Sequence, residues 1–109
     1  MKRISCAAIL LALAVSPAVF AGGDAVAGKD VFMKHCAACH GPDGNGKEAV
    51  AKMFKVTLPQ LPSKEVQALS DADLTKVVTE GKGKMPAVKG LSAADVTDVV
   101  AFIRSIAKK

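Results

Sequence analysis

The feature that most constrains this chain is a pair of cysteines three positions apart, followed directly by a histidine. The five residues are Cys36-Ala37-Ala38-Cys39-His40. Two thiols about one helical turn apart can each form a thioether with one vinyl group of a haem, and the next residue then lies beneath the ring. C-x-x-C-H is the attachment sequence of c-type haem. The sequence therefore predicts one covalent haem c on Cys36 and Cys39, with His40 as an axial ligand of its iron.

Three other interpretations of the cysteine pair explain less. A structural disulfide fits an oxidising compartment, but its loop would be very short and His40 would have no role. A thioredoxin-like redox pair needs a preceding strand in a βαβ context, which the sequence does not offer. A zinc site needs four protein ligands, and His35 is awkwardly adjacent to Cys36.

The first 21 residues have the layout of a secretory signal peptide. Two basic residues precede an apolar run from Ile4 to Val15, and small residues end at Ala21. We expect cleavage there and export to the periplasm, leaving a single domain over 22–109. An uncleaved membrane anchor is disfavoured because the run is short for a span of roughly 20 residues and Pro17 interrupts it. A lipoprotein anchor at Cys6 is disfavoured because no apolar segment precedes that cysteine.

The composition of the remaining chain fits a small domain built around a cofactor. About 88 residues form one domain, and a domain of this size often needs a staple or a cofactor to be stable. It has three phenylalanines and no tryptophan or tyrosine. Loss of Lys2 and Arg3 lowers the formal charge from +5 to +3, since all 10 acidic residues remain. That charge is too weak to indicate nucleic acid as the partner.

Capping residues and apolar periodicity predict an all-α fold of three main helices and a short one. Gly28 lies inside the first helix, where it costs roughly 1 kcal/mol relative to alanine, so a close backbone approach is expected there. Ser70 with Asp73 and Ser92 with Asp95 match the capping box that begins a helix. The predicted helices follow Asp24, Ser70 (ending at Gly81) and Ser92, with the short one at about 47–54. The only strand candidate is 55–58.

Four residues could occupy the second axial position on the iron. Met33 and His35 precede the cysteine pair on the same helix, so they lie on the same side of the ring as His40. Met53 follows that histidine by 13 positions and is expected to pack in the core. Met85 follows it by 45 positions, in a loop that Pro86 stiffens. The order of the chain therefore favours Met85 as the axial ligand, and the alternative is that Met85 is a loop residue packed on the core.

A His/Met pair would fill both axial positions of the iron and raise its reduction potential. Such an iron can exchange one electron but has no vacant position for oxygen or peroxide. The pattern therefore favours an electron carrier over an enzyme. The alternatives are a haem domain with a labile sixth position, for gas binding or peroxidase-like chemistry, and a dedicated electron-transfer subunit of one enzyme.

Five segments together resemble the small class I cytochromes c of bacteria, and the resemblance covers nearly the whole exported chain. They are 28–32, 36–41, 81–87, Leu91-Ser92 and Phe102-Ile103.

The resemblance implies the cytochrome c fold, in which the first and last helices cross where Gly28, Phe32 and Phe102 meet. It also implies His40 and Met85 as axial ligands and electron transfer at an exposed haem edge. One departure concerns the proline whose carbonyl often accepts the imidazole proton in this family. Pro42 is too close to His40 for that role, and 45–50 contains no proline.

Three lysines surround the predicted axial methionine: Lys82, Lys84 and Lys89. They form either an ordinary solvated loop or a basic rim that steers acidic redox partners into brief contacts. The expected partners are a reductase or dehydrogenase as donor and an oxidase or other protein as acceptor. The sequence does not decide between the two interpretations of the lysines.

Overall fold

A computed structural model describes residues 23–108. The predicted signal peptide and its cleavage point lie outside the described residues. Within them the chain forms six helices and no β-strand, which confirms the all-α prediction. The helices are α1 (Ala25–His35), α2 (Ala37–His40), α3 (Glu48–Phe54), α4 (Lys64–Gln67), α5 (Asp71–Glu80) and α6 (Ala93–Ser105).

The main helices begin at the predicted capping residues. The Asp24 carboxylate accepts hydrogen bonds from the first-turn N–H groups of α1, which have no partner inside the helix. Ser92 and Asp95 form the complete reciprocal capping box at the start of α6. At α5 only half of the predicted box is present: the Ser70 hydroxyl accepts from the Asp73 N–H at 3.0 Å, and no return bond accompanies it.

The first and last main helices cross closely, as the resemblance implied. Gly28 is buried against the Asp98 carbonyl of α6, in a space that a side chain would fill. One turn further along, the rings of Phe32 and Phe102 pack with their centroids 4.9 Å apart. Aromatic contact of this kind stabilises beyond the apolar area it buries. The helix-interior glycine is therefore explained by the crossing.

The core lies between α1, α5 and α6. Phe32 and Val99 are its two fully buried large side chains. Apolar side chains of α5 and α6 face it, among them Leu74, Val78 and Ile103, each with 6% or less of its surface exposed. His35, by contrast, is exposed. It lies at the last residue of the helix, beyond the crossing.

Two parts of the chain between the main helices differ from the sequence prediction. The strand candidate at 55–58 is not a strand: Lys55 adopts a left-handed conformation, with φ 55°, that ends α3. The single-turn helix α4 was not predicted. Ser63 caps it by accepting from the Val66 N–H at 3.4 Å.

Among the described residues, no helix combines the length and the apolar character needed to cross a membrane.

Candidate functional site

Cys36 lies at the break between α1 and α2, and Cys39 lies within α2. The backbone turns at Cys36, with φ −118° and ψ −34°, and α2 begins at the next residue. Cys36 is buried and Cys39 is exposed. Burial raises the pKa of the Cys36 thiol to about 11, with a smaller contribution from the neighbouring Cys39, so this thiol is protonated at neutral pH.

His40 is the last residue of α2 and is 9% exposed. Two backbone hydrogen bonds fold the following loop over it: Gly46 N–H donates to the His40 carbonyl at 2.7 Å, and Lys47 N–H donates to the Cys39 carbonyl at 2.9 Å. Gly41, with φ 76°, lets the chain leave α2 in a direction that side chains disfavour.

Burial lowers the pKa of His40 and keeps its imidazole neutral, which is the form that binds metals. Its Nδ1 is buried and has no hydrogen-bond partner among the described residues. Nε2 is therefore the nitrogen available to a group bound beside the ring. Within residues 23–108, no hydrogen bond gives Nδ1 an acceptor in place of the family's proline carbonyl.

A cavity of about 420 Å³ opens beside His40. This volume falls in the range of roughly 300–1,000 Å³ that cofactor pockets occupy. Its walls are mostly apolar, and they join the end of α2 to α3, to the following extended segment and to the chain after α5. The lining residues are Cys39, His40, Val50, Phe54, 56–59, Lys82, Lys84, Met85 and Pro86.

Met85 reaches this cavity from a tight hairpin rather than from the irregular loop that the sequence predicted. Lys82 and Met85 exchange two backbone hydrogen bonds, each 3.0 Å long, around Gly83. Gly83 has φ 58°, a conformation that glycine adopts without strain. Just beyond the hairpin, Val88 N–H donates to the Val78 carbonyl of α5 at 2.9 Å. Met85 is thus half-buried at the end of an anchored turn.

The other candidate ligands lie elsewhere. Met33 and His35 are exposed on α1 and do not line the cavity. Met53 is 72% exposed, so the expectation that it packs in the core is wrong. Its helix turns Val50 and Phe54 toward the cavity instead.

The residues fit a covalently attached haem. A thiol and a neutral buried imidazole lie at one end of an apolar cavity, and a thioether sulfur lies in another of its walls. A cysteine thiol can form the thioether attachment of haem c, and imidazole and methionine sulfur are the two donors that the iron of cytochromes c uses.

Known proteins match this chain along most of its length. The family described as "Cytochrome C oxidase, cbb3-type, subunit III" matches residues 23–103. Cytochrome c6 of Picosynechococcus is 37% identical, over 94% of this chain and 92% of that protein. Cytochrome c6 of Leptolyngbya boryana is 36% identical, over 79% of this chain and 96% of its own length.

This chain belongs to the small class I c-type cytochromes. A solved c-type cytochrome superposes on it with a TM-score of 0.62 and 26% identity, over 74% of this chain and 98% of the other. The cytochrome has the all-α cytochrome c fold and carries haem c covalently, as the C-x-x-C-H spacing predicted.

The sequence did not predict one part of the cavity wall of this cytochrome. Val50 and Phe54 on α3, and Val56 and Leu58 after it, line the cavity. The available signal was a run of apolar residues around a weak helix, in a chain with few large side chains for its core.

Proposed function

We propose that this cytochrome is a periplasmic one-electron carrier. Its haem is attached through Cys36 and Cys39, and its iron is ligated by His40 and Met85. One observation carries the proposal: His40 and Met85 are 45 positions apart in the sequence, yet they line the same cavity. When bound there, the haem supplies an iron centre that gains and loses one electron.

The residues around the cavity each have a part in this function. Cys36 at the break before α2 and Cys39 within it fix the edge of the haem, and His40 offers a neutral nitrogen from a backbone held by two hydrogen bonds. The hairpin, which is anchored to α5, presents the Met85 sulfur to the cavity. The apolar side chains of Val50 and Phe54 exclude water, which favours the less charged form of the iron and a raised potential.

Transport and processing complete the proposal. Residues 1–21 act as a signal peptide, and 22–109 form the exported domain. Intact mass of the exported protein tests both statements and the attachment, since the expected species is Gly22–Lys109 plus one haem.

The proposed partners are redox proteins. A reductase or dehydrogenase donates the electron, and an oxidase or other protein accepts it. Lys82 and Lys84 line the cavity, so a positive rim beside the haem would favour acidic docking surfaces through long-range attraction.

A second candidate function is a dedicated electron-transfer subunit of one enzyme. A relative from Rhizobium leguminosarum, the cbb3-type cytochrome c oxidase subunit FixPc, is 36% identical over 77% of this chain but only 28% of its own length. Co-purification distinguishes the two functions. A dedicated subunit is purified together with its enzyme, whereas a carrier is purified alone.

The axial ligands are tested by absorption spectroscopy of the purified cytochrome and of Met85→Ala. We expect a low-spin, six-coordinate iron in both oxidation states. Met85→Ala should bind exogenous imidazole readily and show a lowered reduction potential, because the sixth ligand is lost. Met53→Ala is the matched control and should behave as the wild type. A high-spin ferric wild type at neutral pH would rule out the carrier, and an unchanged Met85→Ala spectrum would rule out this methionine as the ligand.

A further inference from the structure

A single lysine joins two walls of the cavity. Lys84 Nζ donates a hydrogen bond to the Phe54 carbonyl at 2.7 Å, across 30 positions of sequence. Phe54 is the last residue of α3, and Lys84 directly precedes Met85 in the hairpin. Among residues 23–108, no other hydrogen bond joins 48–60 to 81–90.

The two walls differ in how firmly the rest of the protein holds them. The hairpin is closed by two backbone hydrogen bonds and anchored to α5 through Val78 and Val88. By contrast, α3 has no buried residue. Besides local backbone hydrogen bonds at 51–56, the contact across the cavity is what ties the end of α3 to the hairpin.

The chemistry of the contact suits a charged donor. Carbonyl groups in the last turn of a helix have no partner inside the helix and carry the negative end of its dipole. An ammonium group satisfies such a carbonyl and its charge together, and hydrogen bonds to charged groups are the stronger ones.

We propose that Lys84 is a positioning residue that latches α3 to the Met85 hairpin. Because the latch restrains the hairpin that carries Met85, displacement of this methionine from the iron by an incoming ligand would strain or break the latch. Lys84 therefore sets how readily other molecules reach the iron. This inference rests on the proposed ligation by Met85.

The test is an imidazole titration of the ferric holo-cytochrome, followed by the shift of its main absorption band. Lys84→Leu removes the donor without adding an iron ligand, and we expect imidazole to bind about fivefold more tightly. Fivefold corresponds to about 1 kcal/mol at 1.4 kcal/mol per factor of ten, the typical net value of one hydrogen bond. Lys84→Arg keeps the charge and the donor and should restore most of the wild-type affinity. Lys89→Leu removes the same charge from an exposed residue of the same loop and should bind imidazole as the wild type does.

Each other result overturns the latch in a recognisable way. Equal effects of Lys84→Leu and Lys89→Leu would mean that only charge matters, and no effect of Lys84→Leu would mean that the contact holds nothing. Met85→Ala is titrated alongside. If it binds imidazole no better than the wild type, the ligand assignment has failed and the latch falls with it. If Met85→Ala opens the iron while Lys84→Leu does not, the ligand assignment stands and the latch alone is wrong.

Discussion

Gly28 lies where α1 crosses α6, and two opposing effects decide what an alanine there would do. Inside a helix, alanine is favoured over glycine by roughly 1 kcal/mol. However, a Cβ at this position would overlap the backbone carbonyl of Asp98. Backbone cannot rotate away as a side chain can, so the helices would have to separate and loosen the Phe32–Phe102 contact.

We therefore expect Gly28→Ala to lower the free energy of unfolding by about 3 kcal/mol, at the upper end of the usual cost of overpacking. Urea unfolding of the ferric holo-cytochrome measures it. Gly90→Ala is the control, because a Cβ there meets nothing within 4 Å and only the positive φ of 79° is strained. That variant should lose about 1 kcal/mol. If Gly28→Ala proves as stable as the wild type, α1 and α6 have room for a methyl group at their crossing and the close contact is wrong.

Arg104 of α6 binds the end of α4, the start of α5 and the turn between them. Its guanidinium donates to the Gln67 carbonyl at 2.9 Å and to the Leu69 carbonyl, and it pairs with the Asp71 carboxylate at 2.8 Å. Gln67 in turn donates to the Ile103 carbonyl of α6 at 2.9 Å. The fork of the guanidinium fixes the end of one helix and the start of the next against a third.

Arg104→Lys should lower the free energy of unfolding by about 1–3 kcal/mol, because an ammonium group cannot reproduce the planar fork and leaves carbonyls without partners. Urea unfolding again provides the measurement. Lys76→Ala removes a pair between exposed groups 4.0 Å apart on α5, and such pairs contribute little. Equal stabilities of Arg104→Lys and Lys76→Ala would show that the fork adds nothing beyond its charge.

Sequence patterns predicted those elements whose causes are local. The caps at Asp24, Ser70 and Ser92 each begin a helix because the interacting groups are two or three residues apart. The haem attachment sequence is likewise local. By contrast, α4 is too short to show an apolar periodicity, and its end is held by Arg104, more than 30 positions away.

The error at Met53 has a related cause. Apolar periodicity indicates that one face of a helix is covered, but not whether protein or cofactor covers it. The wall formed by Val50 and Phe54 faces the cavity, which leaves Met53 toward solvent. Chain order predicted that Met85 would face the cavity, whereas the anchoring of its hairpin to α5 through Val78 and Val88 is a contact between separate segments.

The described residues divide into a packed half and a half that lines the cavity. The packed half contains α1, α5 and α6, with Phe32 and Val99 fully buried. On the cavity side, α3 has no buried residue, and the walls meet through the Lys84 contact. Regions with few buried apolar contacts open at lower free energy than the core.

Native-state amide hydrogen exchange of the ferrous holo-cytochrome should resolve these two halves. We expect the amides of α6 around Val99 to exchange only through global unfolding, and those of α3 through an opening that costs about 2–3 kcal/mol less. In Met85→Ala, the amides of α3 and of 82–85 should exchange faster still, because the variant loses the proposed iron ligand that would hold the hairpin. The amides of α1 and α6 should still exchange more slowly than all others. If α3 instead exchanges as slowly as α6 in the wild type, the haem joins both halves into one cooperative unit and the division is wrong.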